Sequence, residues 1–304
     1  MKPTGIIPAM VTPFTESQTV DENAIERLVE RFLEVGVHGL FILGTNGEFF
    51  SLTAEEKVRI AQIVVARVAG RIPVYAGTGG ISTRETIELS KQMGGIGVDA
   101  LSVITPYFLP LTQDDLLAHY VKISESVELP IVLYNIPSRT GIHLHPRTVA
   151  ELSQLDNIVG IKDSSGNFEM VVEYISQTEP DFSVLCGTDS LVLWGLQAGA
   201  SGAIASTANL VPEIALDIYR CFHDGDLAKA RRRQLELNKV RTALQVGGSP
   251  PIALKAAMNL FGFSVGPPRS PLRPIDPEET RKLQQQLGQF VRNGGGVLDA
   301  EGSN

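Results

Sequence analysis

The chain is short of the residues that announce special chemistry or an unusual setting. It carries 2 cysteines, 5 histidines and 1 tryptophan among 304 residues, and aromatic residues make up only 6%. The two cysteines, Cys186 and Cys221, fall in different elements with no metal-ligand or redox spacing, which excludes a disulfide scaffold and a cysteine-built metal site. Free thiols in a cytoplasmic protein are the expectation. Positive charge is also scarce, with 26 Lys+Arg against 34 Asp+Glu and a formal net charge of −8. That balance argues against nucleic acid or an anionic membrane as the main partner. The one basic run, Arg231 to Arg233, is expected on the solvated face of a helix. No apolar run approaches the roughly 18 residues needed to span a bilayer. The run Ile6 to Val11 after Met1-Lys2-Pro3-Thr4-Gly5 is too short for a signal peptide and has no cleavage site. What is present, 43% hydrophobic and 20% charged residues, is the balance of a folded globular protein.

From residue 5 to about 222, short apolar β-rich runs alternate with longer amphipathic ones. Strand runs begin near Gly5, His38, Ile72, Val98, Pro130, Asn157, Phe182 and Ser201, which makes eight strand-plus-helix units. In the first helix Ile25, Leu28, Val29, Phe32 and Leu33 recur at helical spacing and define one apolar face. Thr53 with Glu56, and Ser82 with Glu85, have capping-box spacing at helix starts. Runs such as Ile131-Val132-Leu133 and Ile158-Val159-Gly160-Ile161 are apolar on both faces, as parallel strands buried under helices should be. Eight such units favour a closed (β/α)8 TIM barrel over an open sheet, which stays as the alternative. After residue 224 the strand signals stop, and helical patterns run from Asp226 to about Leu244, Pro251 to Phe261, and Pro277 to about Val291. The expected organisation is a barrel over residues 1–224, a C-terminal helical extension over 225–292, and a disordered tail over 293–304.

In a barrel the chemistry sits at the C-terminal ends of the strands. Those ends carry Gly44-Thr45-Asn46-Gly47-Glu48, Thr105-Pro106-Tyr107-Phe108, Tyr134-Asn135-Ile136-Pro137-Ser138-Arg139-Thr140-Gly141, Lys162-Asp163, Gly187-Thr188-Asp189, and Gly202-Ala203-Ile204-Ala205-Ser206. Lys162 is the most informative of them. Side chains alternate along a strand, so a Lys162 that points into the barrel takes Gly160 and Ile158 with it and leaves Val159 and Ile161 facing the helices. Gly160 would then leave space beneath the lysine. An ammonium in so apolar a place gives up its proton more readily, and the neutral amine can attack a carbonyl to form a Schiff base. A lysine snorkelling to solvent at a strand end is the bland alternative. Tyr134, two residues beyond Val132, would also face inward, where its phenol can relay protons or simply bind backbone. Gly44-Thr45-Asn46-Gly47 offers N–H groups and a hydroxyl for a carboxylate, or is a plain tight turn.

These three motifs, Gly44–Glu48, Tyr134–Gly141 and Gly160–Asp163, in that order and at those intervals, resemble the dihydrodipicolinate synthase / N-acetylneuraminate lyase family from about residue 4 to about residue 290. The resemblance implies a (β/α)8 barrel with a C-terminal helical extension, a homotetramer built as a dimer of dimers, and a metal-independent class I lyase. Such an enzyme binds pyruvate, or a substrate releasing it, through a lysine Schiff base and joins it to an aldehyde with no cofactor. Carried over residue by residue, Lys162 is the Schiff-base lysine and Tyr134 the catalytic tyrosine. Thr45 and Asn46 bind the pyruvate carboxylate, with Thr45 also a proton relay, and Arg139 binds the carboxylate of the aldehyde. Tyr107 and Ile204 complete the substrate-binding set. A 4-hydroxy-tetrahydrodipicolinate synthase-like condensation of pyruvate with aspartate semialdehyde is the first expectation.

The chain departs from the synthases in three places. They usually have Thr-Thr where Thr45-Asn46 stands. Their second relay tyrosine, given across a dimer interface, falls at Phe108, which cannot transfer protons. Where some synthases bind inhibitory lysine with polar residues, this chain has Phe49, Ala54 and Ile81, so no lysine inhibition is expected. Gly44–Phe49 and Gly77-Thr78-Gly79-Gly80 are similar instead to catabolic aldolases acting on 2-keto-3-deoxy sugar acids or 4-hydroxy-2-oxoglutarate. A barrel that has lost catalysis and serves as a scaffold or binding protein is the reading from another class; Phe108 favours it, Lys162 and Tyr134 oppose it. Gly77–Gly80 lacks the third spaced glycine of a dinucleotide loop, and His143 with His145 lack a third ligand for a metal.

Overall fold

The computed structural model describes residues 1–246, 248 and 250–291. Strands β1 (Gly5–Pro8), β2 (Leu40–Ile42), β3 (Val74–Gly77), β4 (Ala100–Ile104), β5 (Ile131–Asn135), β6 (Ile158–Asp163), β7 (Ser183–Cys186) and β8 (Gly202–Ala205) all run parallel. Each pairs with its sequence neighbours, and β1 pairs β8. The ring closes between β1 and β2 through the bridge from Ala9 to Phe41, with Met10 N–H donating to Phe41 C=O at 2.9 Å. Helices α1 (Glu22–Val35), α2 (Ala54–Val68), α3 (Thr83–Ile96), α4 (Gln113–Ser124), α5 (Pro137–Thr140), α6 (Pro146–Leu152), α7 (Phe168–Gln177), α8 (Val192–Ala198) and α9 (Pro212–His223) alternate with the strands. The (β/α)8 barrel is therefore the architecture, and the open sheet is excluded. Beyond it follow α10 (Leu227–Ala243), α11 (Pro250–Leu260) and α12 (Pro277–Leu287). The expected disordered tail, 293–304, lies outside the described residues.

The strands are buried on both faces because each separates two apolar layers. One layer, between sheet and helices, includes Ile25, Leu28, Val29 and Phe32 of α1. The other fills the barrel with Ile7, Phe41, Tyr75, Val132, Leu185 and Ile204. Helix starts follow their caps: Thr53 accepts from Glu56 N–H, and Glu56 returns a bond to Thr53 N–H, the full box. Ser82 caps α3 by accepting from Glu85 N–H, without the reciprocal bond expected from Glu85.

Three expectations need correction here. Strand β6 contains a register shift: Ile131 pairs Ile158, but Val132 pairs Gly160, so Val159 is an extra residue. The bulge breaks the alternation. Ile158 joins the outer layer and Val159 packs toward the barrel interior, the reverse of the simple pattern. Gly160 does not leave space under the lysine either, since a Cβ there would lie 2.5 Å from Ser183 O. The glycine that makes room is Gly187, where a Cβ would come within 3.0 Å of Lys162 Cε. The basic run on α10 is also divided. Arg231 and Arg232 are exposed, whereas Arg233 turns inward to pair Asp217 and Glu236, because three consecutive helical residues fan over some 200° and cannot share a face.

The extension is fastened to the barrel rim by polar contacts. Gln234 of α10 accepts from Leu193 N–H and donates to Asp189 C=O. Lys255 of α11 forms a fully buried ion pair with Glu48 at 2.6 Å, and Arg269 pairs Glu56 of α2. These contacts hold α10 and α11 over the C-terminal ends of the strands.

Candidate active site

A cavity of about 520 Å³ opens at that rim. Its lining draws on β2, β5, β6, β7 and β8 through Thr45, Asn46, Tyr134, Arg139, Lys162, Gly187, Asp189, Ile204 and Ser206, and on the extension through Arg241, Leu244 and Gln245. Such a volume suits a small-molecule site.

Lys162 stands at the end of β6, with only 4% of its surface exposed. Tyr134 on β5 and Leu185 on β7 are its register partners. Its Nζ lies 4.1 Å from the centroid of the Tyr134 ring and 4.6 Å from that of Phe41. No ion pair or hydrogen bond engages it among the described residues, so two aromatic faces are its principal electrostatic company. The snorkelling alternative fails, because the amine is buried in the cavity rather than reaching solvent.

The Tyr134 hydroxyl is 3.3 Å from Thr45 Oγ1, which links the β5 and β2 ends into a short hydroxyl chain beside the lysine. Asn46 is buried, and its amide donates to Ser206 Oγ at 2.9 Å and to Ala9 C=O at 3.3 Å. Both donors of Asn46 are thus used in joining β2, β1 and β8. Ile204 contributes an apolar wall. Arg139, on α5, lines the cavity from the β5 side. Tyr107 does not line it; its ring packs edge-on against Phe49 at 6.3 Å. Phe108 is 85% exposed, with a left-handed φ of 89°.

Residues flank Lys162 on the far face of the sheet by simple alternation. Asp163 is buried there and accepts from Asn135 Nδ2 at 2.7 Å and Ser165 Oγ at 2.6 Å. Burial raises its pKa, and the two hydrogen bonds oppose the rise. Asn135 Oδ1 accepts from Leu144 N–H, and Tyr174 OH donates to Leu144 C=O, so the loop after β5 is pinned to the sheet. The Cys186 thiol is pushed up to about 12 by burial, with the Asp163 charge adding to it, and is no nucleophile. Among the described residues no group of three or more His, Cys, Asp or Glu is placed to hold a metal ion.

A family model described as the dihydrodipicolinate synthetase family matches residues 2–290. The chain belongs to that family. It is 41% identical over 285 residues to a 4-hydroxy-tetrahydrodipicolinate synthase of Methanopyrus kandleri, covering 93% of this chain and 95% of that one. A solved dihydrodipicolinate synthase of Bacillus anthracis superposes with a TM-score of 0.93 at 34% identity, covering 96% of this chain and all of the other. YagE of Escherichia coli K12, a prophage protein of the same family solved with pyruvate, superposes with a TM-score of 0.91 at 35% identity over 94% and 98% of the two chains. This member of the dihydrodipicolinate synthetase family is accordingly a lyase.

Within the family frame, the sequence expectations for Lys162, Tyr134, Thr45, Asn46, Arg139 and Ile204 converge on one cavity, and Tyr107 stands apart from it. Sequence reasoning placed Asp189 and Ser206 at strand ends without giving them a role, and passed over Arg241. Asp189 accepts from Ser206 and Thr207 N–H at 3.0 and 2.8 Å and so shapes the β8 end. A strand-end rule names Asp189 and Ser206 as candidates, but nothing in the residues distinguished them from ordinary turns.

Proposed function

We propose that this lyase condenses pyruvate with aspartate semialdehyde through a Schiff base on Lys162, as a 4-hydroxy-tetrahydrodipicolinate synthase does. The observation that carries the proposal is the buried, unpaired Lys162 amine lying over Tyr134, whose hydroxyl meets Thr45. The neutral amine attacks the ketone carbon of pyruvate, and the resulting carbinolamine loses water with a proton delivered by Tyr134. Thr45 holds the phenol and helps carry the proton. The iminium draws electrons from the neighbouring methyl carbon, which loses a proton and becomes the enamine nucleophile. That carbon then bonds to the aldehyde, whose carbonyl oxygen takes up a proton and whose own carboxylate Arg139 receives; addition of the acceptor's amine or of water to the re-formed iminium carbon then breaks the bond to Lys162 and frees the product. Thr45 and Asn46 bind the pyruvate carboxylate; with the Asn46 amide donors occupied, the turn's N–H groups and the Thr45 hydroxyl carry most of that binding.

The name of the Methanopyrus relative supports the acceptor. A catabolic aldolase for 2-keto-3-deoxy sugar acids or 4-hydroxy-2-oxoglutarate is the second reading, favoured by Asn46 and by the exposed Phe108, which brings no hydroxyl to a relay. We read the active form as a cytoplasmic homotetramer that uses no cofactor and binds neither nucleic acid nor membrane. Two unpaired thiols and the exposed apolar pair Phe108 and Leu109 support it. Among the described residues, no helix is long and apolar enough to cross a membrane.

The test is intact mass after incubation with pyruvate and borohydride, with mapping of the modified peptide. One reduced adduct on Lys162, absent in Lys162→Ala, is expected. A wild-type protein that traps no 2-oxo acid would overturn the proposal and leave the scaffold reading in its place.

A further inference from the structure

Among the described residues four arginines are half-buried: Arg31, Arg233, Arg241 and Arg269. Three of them have visible work. Arg31 donates to Asn209 and Leu210 C=O at 3.0 Å and lies over the Phe263 ring. Arg233 pairs Asp217 and Glu236. Arg269 pairs Glu56 and donates to Gln18 and Ser51 C=O. Arg241 alone has no carboxylate or carbonyl partner among the described residues, and it lines the catalytic cavity. Asp189 is the only acidic residue among the described lining, and its carboxylate oxygens are taken by Ser206 and Thr207 N–H. A half-buried guanidinium that faces a cavity and has no protein partner is placed to receive an anion.

Its place is set by the extension. Arg241 stands in the last turn of α10 and Gln245 in the turn that follows it, and both line the cavity. α10 is fastened to the β7 end through Gln234 and Asp189. Arg139 enters from the β5 end instead, with β6 and Lys162 between the two. The cavity therefore offers an anion a cation on either side of the lysine. A 2-oxo acid has one carboxylate, held next to its ketone by the Thr45 turn, so the remaining cations face whatever the enamine attacks.

We propose that Arg241 is a specificity-determining residue: together with Arg139 it binds an acidic group, carboxylate or phosphate, at the end of the acceptor aldehyde remote from the carbonyl. The inference rests on the Schiff-base reading of Lys162 and sharpens it, restricting acceptors to short anionic aldehydes. The guanidinium is suited to either acid group because its fork makes paired, charge-assisted hydrogen bonds.

The experiment compares wild type, Arg241→Met and Arg241→Lys with pyruvate and a panel of acceptors: aspartate semialdehyde and succinate semialdehyde (carboxylate), glyceraldehyde 3-phosphate (phosphate) and glyceraldehyde (neutral). Borohydride trapping of pyruvate on Lys162 is measured alongside. The expected result is a KM for the preferred anionic acceptor raised roughly 10- to 100-fold in Arg241→Met and partly restored in Arg241→Lys. KM for glyceraldehyde and pyruvate trapping should be unchanged. The anionic acceptor with the larger effect identifies the acid group. Equal losses on neutral and anionic acceptors, impaired trapping in Arg241→Met with normal wild-type trapping, or no change on any acceptor would overturn the role of Arg241 while sparing the Schiff base. Absence of trapping in wild type would overturn both.

Discussion

Replacing Lys255 with Met should destabilise the protein severely, and the structure says by how much. Lys255 and Glu48 both have 0% side-chain exposure, and their ion pair is 2.6 Å long. Glu48 also accepts from Arg269 N–H at 2.8 Å, and Lys255 donates to Pro267 C=O at 3.2 Å and lies over the Phe14 ring. Burial pushes the Lys255 ammonium down to about 8, against the opposing pull of Glu48. A pair this deep gains little net stability by existing, because desolvation offsets the attraction, but removing one partner strands the other charge at a cost of about 3–5 kcal/mol. Lys255→Met leaves Glu48 with one backbone N–H as its remaining hydrogen-bond donor, so the cost should sit within that range. For a chain of this size it corresponds to a fall in Tm on the order of 10 °C. Glu48→Gln added to Lys255→Met removes the stranded charge and should recover part of the loss. Urea unfolding of the two single variants and the double gives the coupling directly. A loss below about 1 kcal/mol in Lys255→Met, or a double variant worse than either single one, would refute the reasoning. Because Glu48 ends the turn that bears Thr45, the variant should also trap pyruvate more slowly.

Three further outcomes are expected. Tyr134→Phe removes the hydroxyl that meets Thr45 and should lower kcat by roughly 10²–10⁴-fold with pyruvate binding largely retained, measured by steady-state kinetics and pyruvate titration. His119, buried on α4 with Nδ1 2.8 Å from Thr83 Oγ1, is pushed down to about 4 by burial. The unfolded chain takes up this proton near pH 6.5 and the folded one only near 4, so stability is full above pH 6.5. It should fall by about 3 kcal/mol as the pH drops to 4. Denaturant unfolding across that window should show the fall, and His119→Phe should flatten it. Lysine should not inhibit turnover, since Ile81 is exposed and apolar and Phe49 is packed between Phe50 and Tyr107; strong inhibition in an assay with added lysine would contradict this.

The legible and illegible parts of this protein divide along the range of the interaction involved. Strand and helix spacing is local, so the eight units and the three helices after residue 224 could be read in order, and barrel geometry then pointed to the strand ends without knowledge of any contact. The bulge at Val159 is local too, but it leaves no mark in composition, since Ile-Val-Gly-Ile suits a regular strand equally well; only pairing with Val132 shows it. The extension's part in the site escaped for a different reason. Lys255 sits inside the apolar run Ile252 to Met258, a sign of a buried cation needing a partner, but nothing near it names Glu48 as that partner. Arg241 looks like any cation on the last turn of a surface helix. Its meaning depends on how α10 lies across the β7 and β8 ends, and that is fixed by Gln234 reaching Asp189 and by Lys255 reaching Glu48. The barrel supplies the lysine, the phenol and the carboxylate-binding turn, whereas the extension supplies the far wall against which an acceptor is selected. Variation in acceptor among proteins built this way should therefore fall on α10 and the loops after β5 more than on the strands, because a change there alters the wall without disturbing the lysine.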